Sequence, residues 1–166
     1  MNAYYERVGH LLLVAYLVGL TDLHHENILP GDGTPCVVDA ETMFNTPLRQ
    51  LVSVTQATRD VNDSVMSSVS GSGMLPVGTG NEMYGGDVSG LSQGRWRTES
   101  RALVNLGRDD IKFARQVLER TDTAHLPHVV DDGESTALQP ANHVDAIVRG
   151  FTRSYRAAVE AKRDIA

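Results

Sequence analysis

The stretch from Gly19 to Phe44 reads GLTDLHHENILPGDGTPCVVDAETMF, and the order of its residues decides the expected fold. Ile28-Leu29 and Cys36-Val37-Val38 are short β-prone runs, and the Pro, Asp and Gly residues between them are typical of a hairpin connection. The polar residues 21–27 before the first run indicate a loop. The pattern therefore predicts a loop followed by a small β-hairpin, which delivers Asp39 close to that loop.

Helices are expected on both sides of this stretch. Upstream, apolar residues recur at three- and four-residue steps, which predicts a helix from Tyr4 to about Gly19, buried because its other face is also apolar. Downstream, the Ser- and Gly-rich stretch from about Val65 to Glu99 predicts a long mobile loop. A second helix is expected to begin near Asp109-Asp110, and Asn142 is expected to cap a long amphipathic last helix. The expected fold class is mainly α with a short β-hairpin.

Three polar residues of the loop and hairpin are candidates for a catalytic site. Asp22 and Asn27 lie five residues apart on one loop, and Asp39 lies at the far end of the hairpin. Phosphoryl transfer requires a carboxylate that accepts the proton of the incoming hydroxyl, and metal ions on the phosphate side. An amide and a carboxylate favour a hard cation such as Mg²⁺, so Mg-ATP is the expected cofactor. The same spacing occurs in kinases, although Asp and Asn after a helix often only cap and turn the chain.

The composition of the 166 residues restricts the remaining possibilities. A formal net charge of −6 argues against a broadly nucleic-acid-binding surface. The single cysteine, Cys36, excludes an intrachain disulfide and is expected in the core. The apolar run from Leu11 to Leu20 is shorter than the roughly 20 residues that a membrane span requires. We therefore expect no membrane span, no nucleic-acid partner and a cytoplasmic location.

Beyond spacing, the sequence resembles a known family. The segments 4–9, 19–27 and 38–44, with Val-Asp-Ala-Glu-Thr where a protein kinase has Asp-Phe-Gly, resemble the dehydratase domain of LanM-type lanthipeptide synthetases. That domain has a kinase-like core, which phosphorylates Ser and Thr of a precursor peptide with ATP and then eliminates the phosphate to leave dehydro amino acids. Looser matches continue in order to residues 150–155, so the resemblance covers nearly the whole chain.

The resemblance implies roles for five residues. Asp22 activates the substrate hydroxyl, His24 assists phosphorylation, and Asn27 and Asp39 hold the metal and the nucleotide phosphates. Glu41 matches a catalytic acid of the family whose role does not follow from the residues of this chain. Adjacent histidines without cysteines make a poor zinc site, which favours these roles for His24 over zinc binding.

The resemblance also implies how the chain is organised. Residues 1–166 would form part of a dehydratase domain that resembles a kinase C-lobe. Residues 1–48 would carry the helix, the catalytic loop and the metal-binding hairpin, residues 49–107 an activation-type loop, and residues 108–166 helices. The glycine-rich nucleotide-covering segment is expected upstream, and the elimination residues and the cyclase domain downstream. The expected partners are these missing parts and a Ser/Thr/Cys-rich precursor peptide, and the chain by itself is expected to be inactive.

Two other interpretations remain open. A different kinase-like phosphotransferase, acting on a small molecule or a lipid, would share the Asp-x-His-x-x-Asn pattern. A non-catalytic remnant or split subunit that binds a partner would also share it. The segment 39–42 and the later matches favour the dehydratase interpretation over the first of these.

Overall fold

The computed structural model describes residues 2–44, 55–76, 87–92 and 95–165. The helices are α1 (Asn2–Val18), α2 (Gln56–Met66) and α3 (Val144–Ile165), and short 3-10 turns cover Val69–Ser72 and Pro140–His143. The strands are β1 (Ile28–Pro30), β2 (Pro35–Val37), β3 (Arg95–Val104), β4 (Lys112–Thr121), β5 (His128–Asp131) and β6 (Glu134–Ala137). They pair as three separate antiparallel two-stranded sheets, β1-β2, β3-β4 and β5-β6. The described chain is therefore mixed α and β rather than mainly α.

The helices α1 and α3 pack against each other with their backbones in close contact. A Cβ at Gly9 would collide with the carbonyl oxygen of Ile147, and a Cβ at Gly150 would collide with the carbonyl oxygen of Glu6. Across the same interface, Arg149 Nε lies 3.2 Å from Glu6 Oε1. Glycine on both helices allows this approach, because any side chain at those positions would meet backbone atoms that cannot rotate away.

One face of α1 carries the hydrophobic core. Its buried residues pack with side chains of the loops after α1, of segments 72–74 and 87–92, and of α3; the cluster comprises Tyr4, Tyr5, Val8, Leu12, Ala15, Leu20, Leu23, Ile28, Met74, Leu91, Ala146 and Ile147. The opposite face is also apolar but not buried, since Val14 is 52% and Leu17 is 60% exposed. The prediction that the whole helix is buried is therefore wrong for this face.

At the end of α1 the chain turns into the loop of residues 21–27, called the candidate loop below. Gly19 adopts a left-handed conformation with φ of 67°, and the Leu20 N–H donates to the Ala15 carbonyl oxygen at 2.9 Å. This pattern satisfies a carbonyl that the last helical turn leaves without an intrahelical partner. Gly19 thus terminates the helix, as the sequence predicted.

The predicted β-hairpin is confirmed. β1 and β2 pair antiparallel, with Ile28 opposite Val37 and Pro30 opposite Pro35. Gly33 in the connecting turn has φ of 69°, which favours glycine, and its carbonyl oxygen accepts a hydrogen bond from the Arg7 guanidinium of α1. Cys36 is exposed, so the expectation of a core cysteine is wrong.

Several expectations for residues 49–166 are corrected by the structure. Two elements were not predicted: α2, with Thr55 as its N-cap, and β3, which occupies residues 95–104 and so overlaps the end of the loop expected from Val65 to Glu99. The helix expected to begin near Asp109-Asp110 is absent from the described residues there, because residues 112–121 form β4 and pair with β3. Asn142 lies inside a 3-10 turn that precedes α3, and so does not cap that helix. The glycines at positions 78, 80, 85 and 86 lie outside the described residues.

None of the described helices is long and apolar enough to cross a membrane. α1, the most apolar of them in sequence, has only 17 residues.

Candidate functional site

The loop after α1 is organised by the side chain of Asn27. Its amide nitrogen donates to the backbone carbonyl oxygen of Asp22 at 2.9 Å, across the five-residue spacing noted in the sequence. The Asn27 N–H also donates to the carbonyl oxygen of His24 at 3.0 Å. With the amide nitrogen engaged in this way, the side-chain oxygen Oδ1 is the atom of Asn27 that could bind a cation.

Backbone hydrogen bonds join this loop to the hairpin and to the turn after it. The Val38 N–H, directly before Asp39, donates to the Asn27 carbonyl oxygen at 3.1 Å. The Thr21 N–H donates to Oγ1 of Thr42 at 3.3 Å, and the N–H of residue 44 donates to the carbonyl oxygen of residue 18 at 2.9 Å. The structure therefore brings together the segments that carry Asp22, Asn27 and Asp39.

Asp39 and Glu41 lie on the turn that follows β2, and both are exposed. The Asp39 carboxylate accepts the Glu41 N–H through Oδ1 at 3.0 Å, which is a local turn contact. This contact fixes the orientation of the carboxylate and leaves Oδ2 as a second acceptor atom. Glu41 contributes its backbone N–H to this turn.

His24 lies beside the carboxylate of Asp22. Its Nε2 is 3.9 Å from Asp22 Oδ1, and its Nδ1 accepts the N–H of Glu26 at 3.1 Å. Because Nδ1 is an acceptor, the proton of a neutral ring resides on Nε2, which faces Asp22. The side chain of His24 is 28% exposed and that of Asp22 is 51% exposed, so solvent and a substrate can reach the carboxylate.

Segments 72–74 and 87–92, which the sequence did not associate with the site, are hydrogen-bonded to the loop. The Leu23 N–H donates to the Ser72 carbonyl oxygen at 3.0 Å, and His24 forms an antiparallel bridge with Ser89. These segments are joined to each other, since the N–H groups of Gly90 and Leu91 donate to the carbonyl oxygens of residues 73 and 74 at 3.0 and 2.8 Å. The loop is thus held by backbone contacts over a long sequence separation.

Glycines permit these close contacts. A Cβ at Gly90 would lie 2.6 Å from the Leu23 carbonyl oxygen, and a Cβ at Gly73 would lie 3.0 Å from the Leu23 nitrogen. Gly73 also has φ of 79°, a conformation that side chains disfavour. Part of the Ser- and Gly-rich stretch, which was expected to be a mobile loop, therefore supports the loop of residues 21–27.

Two further histidines, His25 within the loop and His125 beside it, were not predicted as part of the site. His25 reaches the Val88 carbonyl oxygen with its Nδ1 at 3.1 Å, and its ring contacts those of His24 and His125 at centroid distances of 5.7 Å each. His125 is buried, and burial lowers its pKa below the usual value for histidine, against the opposing effect of its hydrogen bond with the Ser92 backbone. Local sequence around His125 contained no signal for this placement.

The side-chain oxygens of this site could hold a hard cation only together with oxygen atoms from a bound molecule or from water. Among the residues that the structure describes, no group of three or more His, Cys, Asp and Glu side chains could hold a metal ion. Asn27 Oδ1 and Asp39 Oδ2 are oxygen donors, and a Mg²⁺ ion commonly completes such a sparse set with phosphate oxygens and water. Asn27 and Asp39 thus supply oxygen atoms of the kind that Mg²⁺ prefers.

Two comparisons with known proteins match the chain. The model of the family described as domain of unknown function DUF4135 matches residues 1–166. The lacticin 481/lactococcin biosynthesis protein LcnDR2 of Lactococcus lactis subsp. lactis is 38% identical over 162 residues, which make up 98% of this chain and 18% of that protein. The chain thus spans under a fifth of the length of this relative. No solved structure matches the chain.

The extent of these two matches decides the family. The family model covers the whole chain, and the identity to the lacticin relative extends over nearly all of it, including the loop and the hairpin. Both confirm the resemblance to LanM-type lanthipeptide synthetases. The chain belongs to the DUF4135 family.

Proposed function

We propose that the loop and hairpin form the phosphoryl-transfer site of a lanthipeptide dehydratase, which acts with Mg-ATP on Ser and Thr of a precursor peptide. The observation that carries the proposal is the hydrogen-bonded unit of Asp22, Asn27 and Val38, in which the Asn27 side chain binds the Asp22 backbone and the Asn27 backbone binds that of Val38, directly before Asp39. The name of the relative, a lacticin 481/lactococcin biosynthesis protein, supports a peptide substrate. A kinase-like arrangement of the surrounding domain is part of the proposal.

Asp22 is the proton acceptor in this reaction. The substrate hydroxyl oxygen attacks the γ-phosphorus of ATP, a new oxygen–phosphorus bond forms, and the bond to the β–γ bridging oxygen breaks to release ADP. The hydroxyl proton passes to the carboxylate of Asp22. The exposure of that carboxylate leaves room for a Ser or Thr side chain to approach it.

His24 orients the acceptor in the proposed mechanism. A neutral ring with its proton on Nε2 faces Asp22 Oδ1 at 3.9 Å, a distance that a small shift of either side chain shortens to a hydrogen bond. The Glu26 N–H at Nδ1 maintains this tautomer. His24 thereby fixes the position of Asp22 Oδ1 and leaves Asp22 Oδ2 to accept the proton of the substrate.

Asn27 and Asp39 would hold the magnesium ion through Oδ1 and Oδ2. When bound, the ion neutralises negative charge on the phosphate oxygens of the nucleotide. Asn27 is positioned for this task by its bonds to residues 22 and 24, and Asp39 by its bond to the Glu41 N–H. Glu41, implied to be catalytic by the family resemblance, has in this proposal the more limited role of fixing Asp39.

Elimination completes the proposed activity. A base removes the Cα proton of the phosphorylated residue, the Cβ–oxygen bond breaks, and phosphate leaves with the electron pair to give a dehydro amino acid. None of the described residues is assigned to this step. The residues for it, the nucleotide-covering lobe and the cyclase region are expected elsewhere in the full-length protein.

The test uses the full-length protein as its gene encodes it, with ATP, Mg²⁺ and a Ser/Thr/Cys-rich precursor peptide from the same gene neighbourhood. Mass spectrometry should show loss of one water per modified residue. Asp22→Asn should lower the rate by about 10²–10⁴-fold, because a positioned proton acceptor contributes that much. Asp39→Asn should abolish turnover and also weaken Mg-ATP binding measured by calorimetry, whereas Asp22→Asn should leave that binding intact.

Asp32→Asn is the matched control. Asp32 is another exposed acid of the same hairpin, but it lies in the turn away from the loop. This variant should retain wild-type rate and nucleotide binding. Full activity of Asp22→Asn, or phosphorylation of small hydroxyl compounds while the peptide is ignored, would contradict the proposal.

A further inference from the structure

His125 is a buried polar residue whose presence the core does not explain. It is only 3% exposed, and its Nδ1 has no hydrogen-bond partner in the part of the chain that the structure describes. Its Nε2 lies 3.4 Å from the carbonyl oxygen of Ser92 and 3.5 Å from the Ser92 hydroxyl, both long for hydrogen bonds. Leaving a buried polar atom unsatisfied costs about 1–3 kcal/mol, which an apolar residue at this position would avoid.

The ring of His125 touches both sides of the contact that supports the candidate loop. Its centroid lies 5.7 Å from that of His25, and the two planes are 72° apart, an edge-on arrangement. His25 in turn is joined to Val88 twice, through its backbone N–H at 3.0 Å and its Nδ1 at 3.1 Å. Ser92 belongs to the same segment as Val88. His125 therefore packs where residues 24–25 meet residues 87–92.

We propose that His125 is a positioning residue, whose ring holds His25 against segment 87–92 and so fixes the loop that carries Asp22 and His24. Its effect on rate rests on the function proposed above, whereas its effect on the loop does not. Burial keeps the imidazole in its neutral form, so the ring packs against His25 without adding a charge to it.

Variants of His125 in the full-length protein separate its two contacts. His125→Phe keeps an aromatic ring against His25 and loses the link to Ser92. His125→Gln keeps a side-chain N–H for Ser92 and loses the ring. His125→Ala loses both. His128→Ala is the matched control, because the ring of His128 also makes contacts, at 2.9 Å to the Ser135 hydroxyl and 2.9 Å to the Thr123 carbonyl oxygen, but does so away from His25.

Amide hydrogen exchange measured by mass spectrometry reports on the loop whether or not the protein is active. His125→Ala and His125→Gln should speed exchange in peptides covering residues 22–27 and leave α1 and α3 unchanged, whereas His125→Phe and His128→Ala should resemble the wild type. In the peptide assay the first two variants should lower kcat by about 10- to 100-fold with little change in KM, as expected when a reacting group is misplaced.

Three results would overturn the proposal. One is equal acceleration of exchange in α1 and α3, which would make His125 a general core residue. Another is wild-type exchange of the loop in His125→Gln together with faster exchange in His125→Phe, which would assign the positioning effect to the contact with Ser92. The third is unchanged exchange in the loop. If the wild type itself fails to modify any peptide, the proposed function fails, and the exchange data still decide the role of His125.

Discussion

The α1–α3 pair and the β3–β4 hairpin represent opposite ways of holding two elements together. The helices approach until only glycine fits at positions 9 and 150, and they share a buried core. The strands pair over ten residues each, yet within the described ranges neither packs on another helix or strand. The side chains of Leu103 and Phe113, which lie opposite each other, are 46% and 69% exposed.

The difference shows where the stability that supports the site resides. A two-stranded hairpin is marginal alone in water, because it lacks a face to bury. Arg101 and Arg115 also lie directly opposite each other on the two strands, a pairing of like charges that weakens a hairpin. The candidate loop begins at the C-terminal end of α1, so its position depends on the helix pair.

The largest expected effect is that of Gly150→Ala. In most helices this change is stabilising by about 1 kcal/mol, but here the new Cβ would collide with the backbone of Glu6, lying 2.7 Å from its carbonyl carbon. Because backbone atoms cannot turn aside, we expect destabilisation of about 3 kcal/mol or more. Chemical denaturation of the two proteins measures the difference.

Val148→Ala is the control for this substitution. Val148 lies on the same helix and is 55% exposed, so the change tests alanine in α3 without affecting the interface. We expect a change within about 0.5 kcal/mol, as for most surface sites. Equal effects at the two positions would mean that the helices are not in such close contact.

An intermediate effect is expected for Tyr5→Phe. Tyr5 is fully buried, stacks on His143 at 4.4 Å and donates its hydroxyl to the Leu138 carbonyl oxygen at 2.6 Å. Removing the hydroxyl leaves that carbonyl without its partner, which should destabilise the protein by about 1–2 kcal/mol. Tyr155→Phe, at a residue that is 53% exposed, should change stability little.

The same tyrosine should make the protein sensitive to alkali. Burial, and secondarily the neighbouring Tyr4, raises the pKa of Tyr5 above its usual range, and burial raises the pKa of Tyr4 to about 12. The unfolded chain therefore loses these protons first, and the free energy of unfolding falls as pH rises above about 10. The decline should be shallower in Tyr5→Phe. An identical decline in both proteins would contradict the burial of this hydroxyl.

The sequence predicted elements that depend on local residues. α1, its termination at Gly19 and the β1–β2 hairpin each follow from neighbouring side chains and are present. The helix expected after Asp109-Asp110 is wrong, because Ala114 and Val117, although they have helical spacing, lie in β4, whose partner strand begins at residue 95. Strand pairing over such distances overrides a local pattern. The division of the chain at residues 48 and 107 stays a prediction.

The same distinction applies to the site. Asp22 and Asn27 are close in sequence, and their contact was predictable from the spacing. His125 meets His25 across one hundred residues, and Ser72 meets Leu23 across about fifty, so no local pattern could reveal either contact. The roles assigned to Asp22, His24, Asn27, Asp39 and Glu41 stay predictions until the variants are assayed.

Apart from the control variants, the smallest effect on overall stability is expected for Phe113→Ala in the β3–β4 hairpin. Although Phe113 is large, it is mostly exposed, and its cross-strand contact with Leu103 is worth about 0.2–1 kcal/mol. Global unfolding should therefore shift by less than about 1 kcal/mol, whereas amide exchange within residues 100–117 should accelerate because that pair helps to close the hairpin. A loss of unfolding free energy as large as that of Gly150→Ala would show that this face of the hairpin is buried in the full-length protein. The contrast between the α1–α3 pair and the β3–β4 hairpin would then hold only for residues 1–166 by themselves.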